Sequence, residues 1–266
     1  MLSFAVGWAY AEGEARGDPM PDFLPDLPAD ALLAALRRSP GNEVDSGKFD
    51  SPESSSALAV NAFGWFLERP DALPPLPGVP MGRPEAVEIE AEMRFPWHGG
   101  RHPWLDVAVT TPTTLVGVEA KRYEPFRPAK ATVFSEAYES RDWGPGMAPY
   151  DALRAELSAG RLRFRHLDAV QLVKHAYGLR NQARKRGRGA VLVYLHAAPV
   201  AWANGKPVDP GAIRAHAAEV AAFAARVKGA DVVFAPLRWA DLLAQWAGVP
   251  QIAAHAAAVG ARFGAL

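Results

Sequence analysis

Apolar and polar positions change period several times along the chain, and each change marks an element. Residues 85–95 alternate, with Val87, Ile89, Ala91 and Met93 on one side and Glu88, Glu90 and Glu92 on the other. That pattern predicts a half-buried strand. Leu105 to Val109 is apolar apart from Asp106, and Leu115 to Val118 is apolar and rich in valine, so each predicts a further short strand. Thr110, Thr111, Pro112, Thr113 and Thr114 separate them as a turn, which makes an antiparallel meander of 85–95, 104–109 and 115–121. Ala190 to Leu195 is a continuous apolar run of the kind buried on both faces, and a shorter strand is predicted over 231–235. Helical spacing runs through 30–38, stopped by Pro40-Gly41. A second stretch runs through Leu58, Val60, Phe63, Trp65 and Phe66, capped by Ser54, Ser55 or Ser56 and ended by Pro70. Further helices are predicted over 129–143, 150–157, 167–186, 210–227, 239–246 and 251–263, while 1–28 and the proline-rich 70–84 read as irregular or extended. Helix, meander, helix, strand, helix, strand is the order of an α/β protein whose mixed central sheet carries helices on both sides.

Composition narrows this picture. The chain has 266 residues, 49% of them hydrophobic, enough for one large core. We read 1–266 as a single domain with 1–53 as an N-terminal extension, and find no internal repeat. No apolar run is long enough to span a bilayer. The apolar start, Met1 to Tyr10, leads into Glu12 and Glu14 without a basic segment, so neither a signal peptide nor a membrane partner is expected. The absence of cysteine removes disulfides and Cys-ligated zinc and fits a cytoplasmic protein. No Gly-x-Ser-x-Gly elbow, phosphate-binding-loop lysine or Gly-x-Gly-x-x-Gly loop is present, which argues against serine hydrolases, NTPases of that kind and dinucleotide-binding oxidoreductases.

The chemistry concentrates in the meander. Strand side chains alternate, so Glu119 and Lys121 project to one side and Ala120 to the other, and the hairpin brings Asp106 beside them. Two carboxylates with the carbonyl of Ala120 form a hard oxygen donor set, which suits Mg²⁺ or Mn²⁺. An ordinary ion pair between Glu119 and Lys121 is the other reading of the same residues. Net charge is zero, yet 161–188 carries Arg161, Arg163, Arg165, Lys174, Arg180, Arg184, Lys185, Arg186 and Arg188 against Asp168 alone. Such a stripe can bind a phosphate backbone. Its C-terminal part can equally complement a helix dipole.

Pro103-Trp104-Leu105-Asp106 followed by Glu119-Ala120-Lys121 resembles the PD-(D/E)xK nuclease superfamily, with Trp104 and Leu105 inserted between proline and aspartate. Residues 54–64, the Glu90/Glu92 strand, Gly117 to Phe126 and the helix from Asp168 with Gln171 are similar to an uncharacterised bacterial branch of it. The resemblance implies a restriction-endonuclease-like fold and metal-dependent hydrolysis of phosphodiester bonds, with DNA the expected substrate. It implies Asp106 and Glu119 as metal ligands, with Glu43 or Glu92 completing the site. Lys121 and Gln171 would be catalytic, and Arg161, Arg163, Arg165, Lys174 and Arg180 would contact nucleic acid. Cleavage of both strands by one site per chain would call for a homodimer. The alternative is an inactive nucleic-acid-binding or assembly module that keeps the fold. His98 and His102 lack the Glu-x-x-His helix of a zinc protease and belong to a turn. Glu124 is placed to pair with Lys121 or a nearby arginine.

Overall fold

The computed structural model describes residues 21–41, 44–97, 100–128, 132–264 and 266. Five strands form one mixed sheet in chain order: β1 (Ala86–Glu92), β2 (Trp104–Thr110), β3 (Thr114–Lys121), β4 (Gly189–His196) and β5 (Val232–Arg238). The first three are the antiparallel meander, and β4 and β5 add in parallel after helical crossovers. Seven α-helices cover the sheet among the described residues: α1 (Ala29–Arg38), α2 (Ser55–Phe63), α3 (Ala148–Ser158), α4 (Ala169–Lys185), α5 (Pro210–Arg226), α6 (Trp239–Ala247) and α7 (Ala253–Phe263).

Two apolar clusters make the molecule three layers thick. On one face Val107, Val116, Val118 and Val193 pack against α1, α2, α6 and α7. On the other Leu105, Leu115, Leu192 and Val232 pack against α3, α4 and α5. Every residue of β3 before Lys121 is buried, as a central strand covered on both sides must be. Phe49, Leu32 and Leu36 join the first cluster, so the segment before α2 is packed into the core.

Two expectations change. No α-helix forms over the described part of 129–143, where the only helical feature is a 3₁₀ turn at Glu136–Tyr138. Tyr138 and Trp143 both reach the aromatic cluster that includes Phe95 and Tyr177, with Trp143 stacked on Tyr177 at 4.0 Å. Residues five apart would point about 140° apart on an α-helix, so an irregular chain serves this packing better. The last strand runs beyond Ala235 to Arg238, through Pro236. Proline is tolerated because β5 is an edge strand and its other side needs no amide donor.

The alternation expected along 87–93 also breaks. Val87 and Ile89 face the α2 side, whereas Ala91 and Met93 face the α4 side. Between them Glu90 has φ of 52°, a left-handed conformation that swaps the strand's faces. On the paired strand Leu105 and Val107 divide in the same way, around Asp106.

Gly178 lets α4 approach the start of β2. A Cβ there would lie 2.5 Å from the Met93 carbonyl oxygen and 2.8 Å from Pro103. Alanine would gain about 1 kcal/mol of helix propensity, but a clash with backbone forces α4 away at a cost of about 1–3 kcal/mol. Gly178→Ala is therefore expected to lower the urea midpoint, despite alanine being the better helix former.

Candidate active site

Strand register lines up the acidic residues. Ile89 pairs with Val107 and Val107 with Val118, so Glu90, Asp106 and Glu119 fall in the next row across the meander. The β2–β3 ladder stops there. Asp106 Oδ2 accepts the Ala120 N–H at 2.7 Å, so a side chain takes an amide that a ladder carbonyl would otherwise hold. Glu119 is 3% exposed. Its Oε1 lies 2.5 Å from Lys121 Nζ and its Oε2 lies 3.1 Å from His175 Nδ1 on α4.

The environments push the two carboxylates apart. Burial drives the Asp106 pKa well above the usual carboxylate value, the charges of Glu119 and Glu90 add to the effect, and Lys121 and the Ala120 amide offset it only in part. Burial also opposes ionisation of Glu119, but the Lys121 charge, then His175, outweighs it and holds that pKa low. Lys121 itself loses solvation on burial, yet Glu119, Glu124 and Asp106 more than compensate and raise its pKa, so it stays an ammonium. Carboxylate oxygens are the donor type that a hard divalent ion takes. Glu119 is however already engaged by two side chains, and among the described residues no three of His, Cys, Asp and Glu are placed to hold a metal together.

Above this row opens a cavity of about 980 Å³. Lys121, Gln171, His175 and Tyr194 line it, whereas Asp106 and Glu119 do not border it. Asp168 caps α4 by accepting the Gln171 N–H at 2.8 Å, which sets Gln171 one turn before His175 on the same side. Arg163, Arg165 and Lys174 also border the cavity. Lys174 donates to the Val133 carbonyl at 2.7 Å and lies over the rings of Phe134 and Tyr138.

Of the remaining sequence candidates, only His102 and Glu124 border the cavity among the described residues. Arg161 shares the loop of Arg163 but does not border the cavity. Arg180 is held by Asp231 at 3.2 Å, and Glu92 by Arg94 at 2.9 Å. Glu43 and His98 lie outside the described residues. His102 accepts the Phe95 N–H through Nδ1 at 3.1 Å, and Glu124 accepts from Arg122 N–H at 2.8 Å and from the Ser55 hydroxyl. Two residues that sequence reasoning did not single out join the site. Glu90 enters through pairing register, and His175 through its position one turn after Gln171. The i, i+4 spacing puts His175 on the helix face of Gln171, but its contact with Glu119 is set by packing.

A five-stranded mixed sheet with an antiparallel meander, parallel additions and an Asp…Glu-x-Lys row defines a restriction-endonuclease-like α/β protein. Residues 33–257 match the model of the family described as "Restriction Endonuclease associating with ARP", and the chain belongs to that family. No curated protein and no solved structure matches it. No described helix is long and apolar enough to cross a membrane.

Behind the cavity, the Tyr194 hydroxyl bonds His216 Nε2 at 2.9 Å. Burial, then the neighbouring His196 and His166, push the His216 pKa from about 6.5 down to about 3. The folded imidazole is thus neutral where the unfolded one takes a proton, so its stabilisation is complete above pH 6.5 and is lost as pH falls toward 3. Thermal unfolding should show a loss of roughly 2 kcal/mol from this group between about pH 6.5 and 5, absent in His216→Gln.

Proposed function

We propose that this chain is a metal-dependent nuclease that hydrolyses phosphodiester bonds, with DNA as its substrate. The observation that carries the reading is the row Glu90, Asp106 and Glu119, with Lys121 between it and a cavity bordered by Arg163 and Arg165. Asp106, Glu119 and the Ala120 carbonyl would hold Mg²⁺ or Mn²⁺. When bound, the metal would supply a Lewis acid for the phosphoryl oxygen and favour ionisation of the attacking water.

The protein's own groups have distinct tasks in that reaction. Lys121, kept charged by its acidic neighbours, is suited to orienting the water and neutralising charge that develops at phosphorus, and unsuited to removing a proton. Gln171 would hydrogen-bond the same water or a substrate oxygen. His175 Nδ1, 3.1 Å from the second oxygen of Glu119, would limit the directions in which the first one points. Arg163 and Arg165 would hold the flanking phosphates, and Lys174 a more distant one. The family description also names ARP, which we carry to this chain as an expected partner.

The second reading is a nucleic-acid-binding module without turnover. It is favoured by one observation: Glu119 is engaged by Lys121 and His175 and does not border the cavity. Cleavage of labelled plasmid, linear and single-stranded DNA and RNA with Mg²⁺ or Mn²⁺ separates the two. Asp106→Ala and Lys121→Ala should each reduce cutting by about a hundredfold or more while leaving binding in place. A folded wild type that binds nucleic acid but cuts none would establish the module instead.

The acidic row also ranks the two outer glutamates. Glu90→Gln should weaken Mn²⁺ binding, read by the metal's electron paramagnetic resonance signal, by about tenfold. Glu92→Gln, which breaks only the pair with Arg94, should leave it unchanged.

A further inference from the structure

The loop from α3 to α4 forms one wall of the cavity, and Arg163 and Arg165 sit on it. Just beyond them, three successive amides point the same way. The carboxylate of Glu219, reaching over from α5, collects all three: Oε1 accepts the Arg165 N–H at 2.8 Å, and Oε2 accepts those of His166 at 2.7 Å and Leu167 at 2.9 Å. Consecutive amides turned to one side form a concavity suited to an anion. Here the anion is part of the protein. From the other direction His166 Nδ1 lies 2.8 Å from the Pro125 carbonyl oxygen, just after the strand that carries Lys121. The loop is thus tied both to α5 and to the end of β3.

How Glu219 uses its charge is the informative part. An acid next to two arginines would ordinarily pair with them. Glu219 instead spends its oxygens on backbone amides, and among the described residues neither Arg163 nor Arg165 forms an ion pair. Both guanidinium groups remain available to a ligand in the cavity. We propose that Glu219 is a positioning residue for nucleic-acid binding, holding the loop so that Arg163 and Arg165 face the substrate's phosphates. This rests on the nuclease-fold cavity being the nucleic-acid groove.

Charge and position make opposite predictions, which renders the idea testable. Removing a carboxylate beside a basic wall strengthens phosphate binding by Coulomb's law alone. Releasing the loop weakens it. The full chain is compared as wild type, Glu219→Gln, and the double variant Arg163→Ala with Arg165→Ala. Affinity for a short labelled DNA is measured across a salt series with Ca²⁺ replacing Mg²⁺, and tryptic cleavage after Arg161, Arg163 and Arg165 reports the loop in wild type and Glu219→Gln. Glu219→Gln is expected to be cut faster in the loop, to bind DNA about tenfold more weakly and to show a salt slope reduced by about two, one per arginine. The double variant, which leaves the anchoring amides untouched, should match that loss of affinity and slope, so a Glu219→Gln chain that misfolds does not remove the test. Equal or tighter DNA binding by Glu219→Gln overturns the proposal, as does undiminished binding by the double variant. Wild-type protein that binds no DNA or RNA overturns the functional reading instead, an outcome distinct from wild-type binding that Glu219→Gln reproduces.

Discussion

The hydrogen bond from the Ala120 amide to Asp106 governs how the rest of the site is built. It sits where β2 and β3 stop pairing, and it replaces a ladder bond with a side-chain one. A buried amide left without a partner would cost about 1–3 kcal/mol, so a carboxylate at this position lets the strands part without that loss. The parting makes room for a row of carboxylates in the middle of an otherwise apolar sheet. The cost is electrostatic: Asp106 sits half-buried among like charges, and its pKa rises accordingly.

Everything around that row can be understood as compensation. Glu90 adopts a left-handed backbone, a conformation worth about 1–3 kcal/mol of strain, at the point where β1 and β2 both exchange faces. Lys121 and His175 approach the two oxygens of Glu119 from two elements, β3 and α4. Just past the row, the Arg122 guanidinium donates to the carbonyls of Pro52 and Phe263 and lies 4.9 Å from the centre of the Tyr123 ring. It fastens the segment before α2 and the end of α7 to the tip of β3. The end of the acidic row is thereby tied to elements distant in the chain.

The same frame explains why the basic stripe of the sequence separates into parts with different roles. Arg180 is bound to Asp231 and Arg188 to Glu85, each serving the fold at 3.2 Å. Lys174 caps an aromatic cluster. The loop ahead of α4 presents Arg163 and Arg165 to the cavity without an ion pair among the described residues, because its backbone rather than its side chains satisfies the nearby acid. Charge counts along the chain do not distinguish these cases, since each depends on which carboxylate the fold brings close.

Much of the architecture was legible without coordinates. The meander, the buried run at 190–195 and the helices that begin at Ala29, Ser55 and Ala169 follow from local periodicity, helped by the caps Ser54 and Asp168, which act over a few residues. Asp106, Glu119 and Lys121 could be grouped from strand alternation and a short turn. What local pattern could not supply was anything set by partners distant in sequence. Helical periodicity over 129–143 gave way to aromatic packing onto Tyr177. The acidic residue opposite Asp106 is Glu90 rather than Glu92, because register across two strands, and a backbone reversal within one, decide which glutamate faces inward. His175 and Glu219 acquire their roles only from contacts 56 residues (119 to 175) and more than 50 residues away in the chain. Periodicity determines which face of an element is apolar; only the packed fold determines which polar groups meet across it.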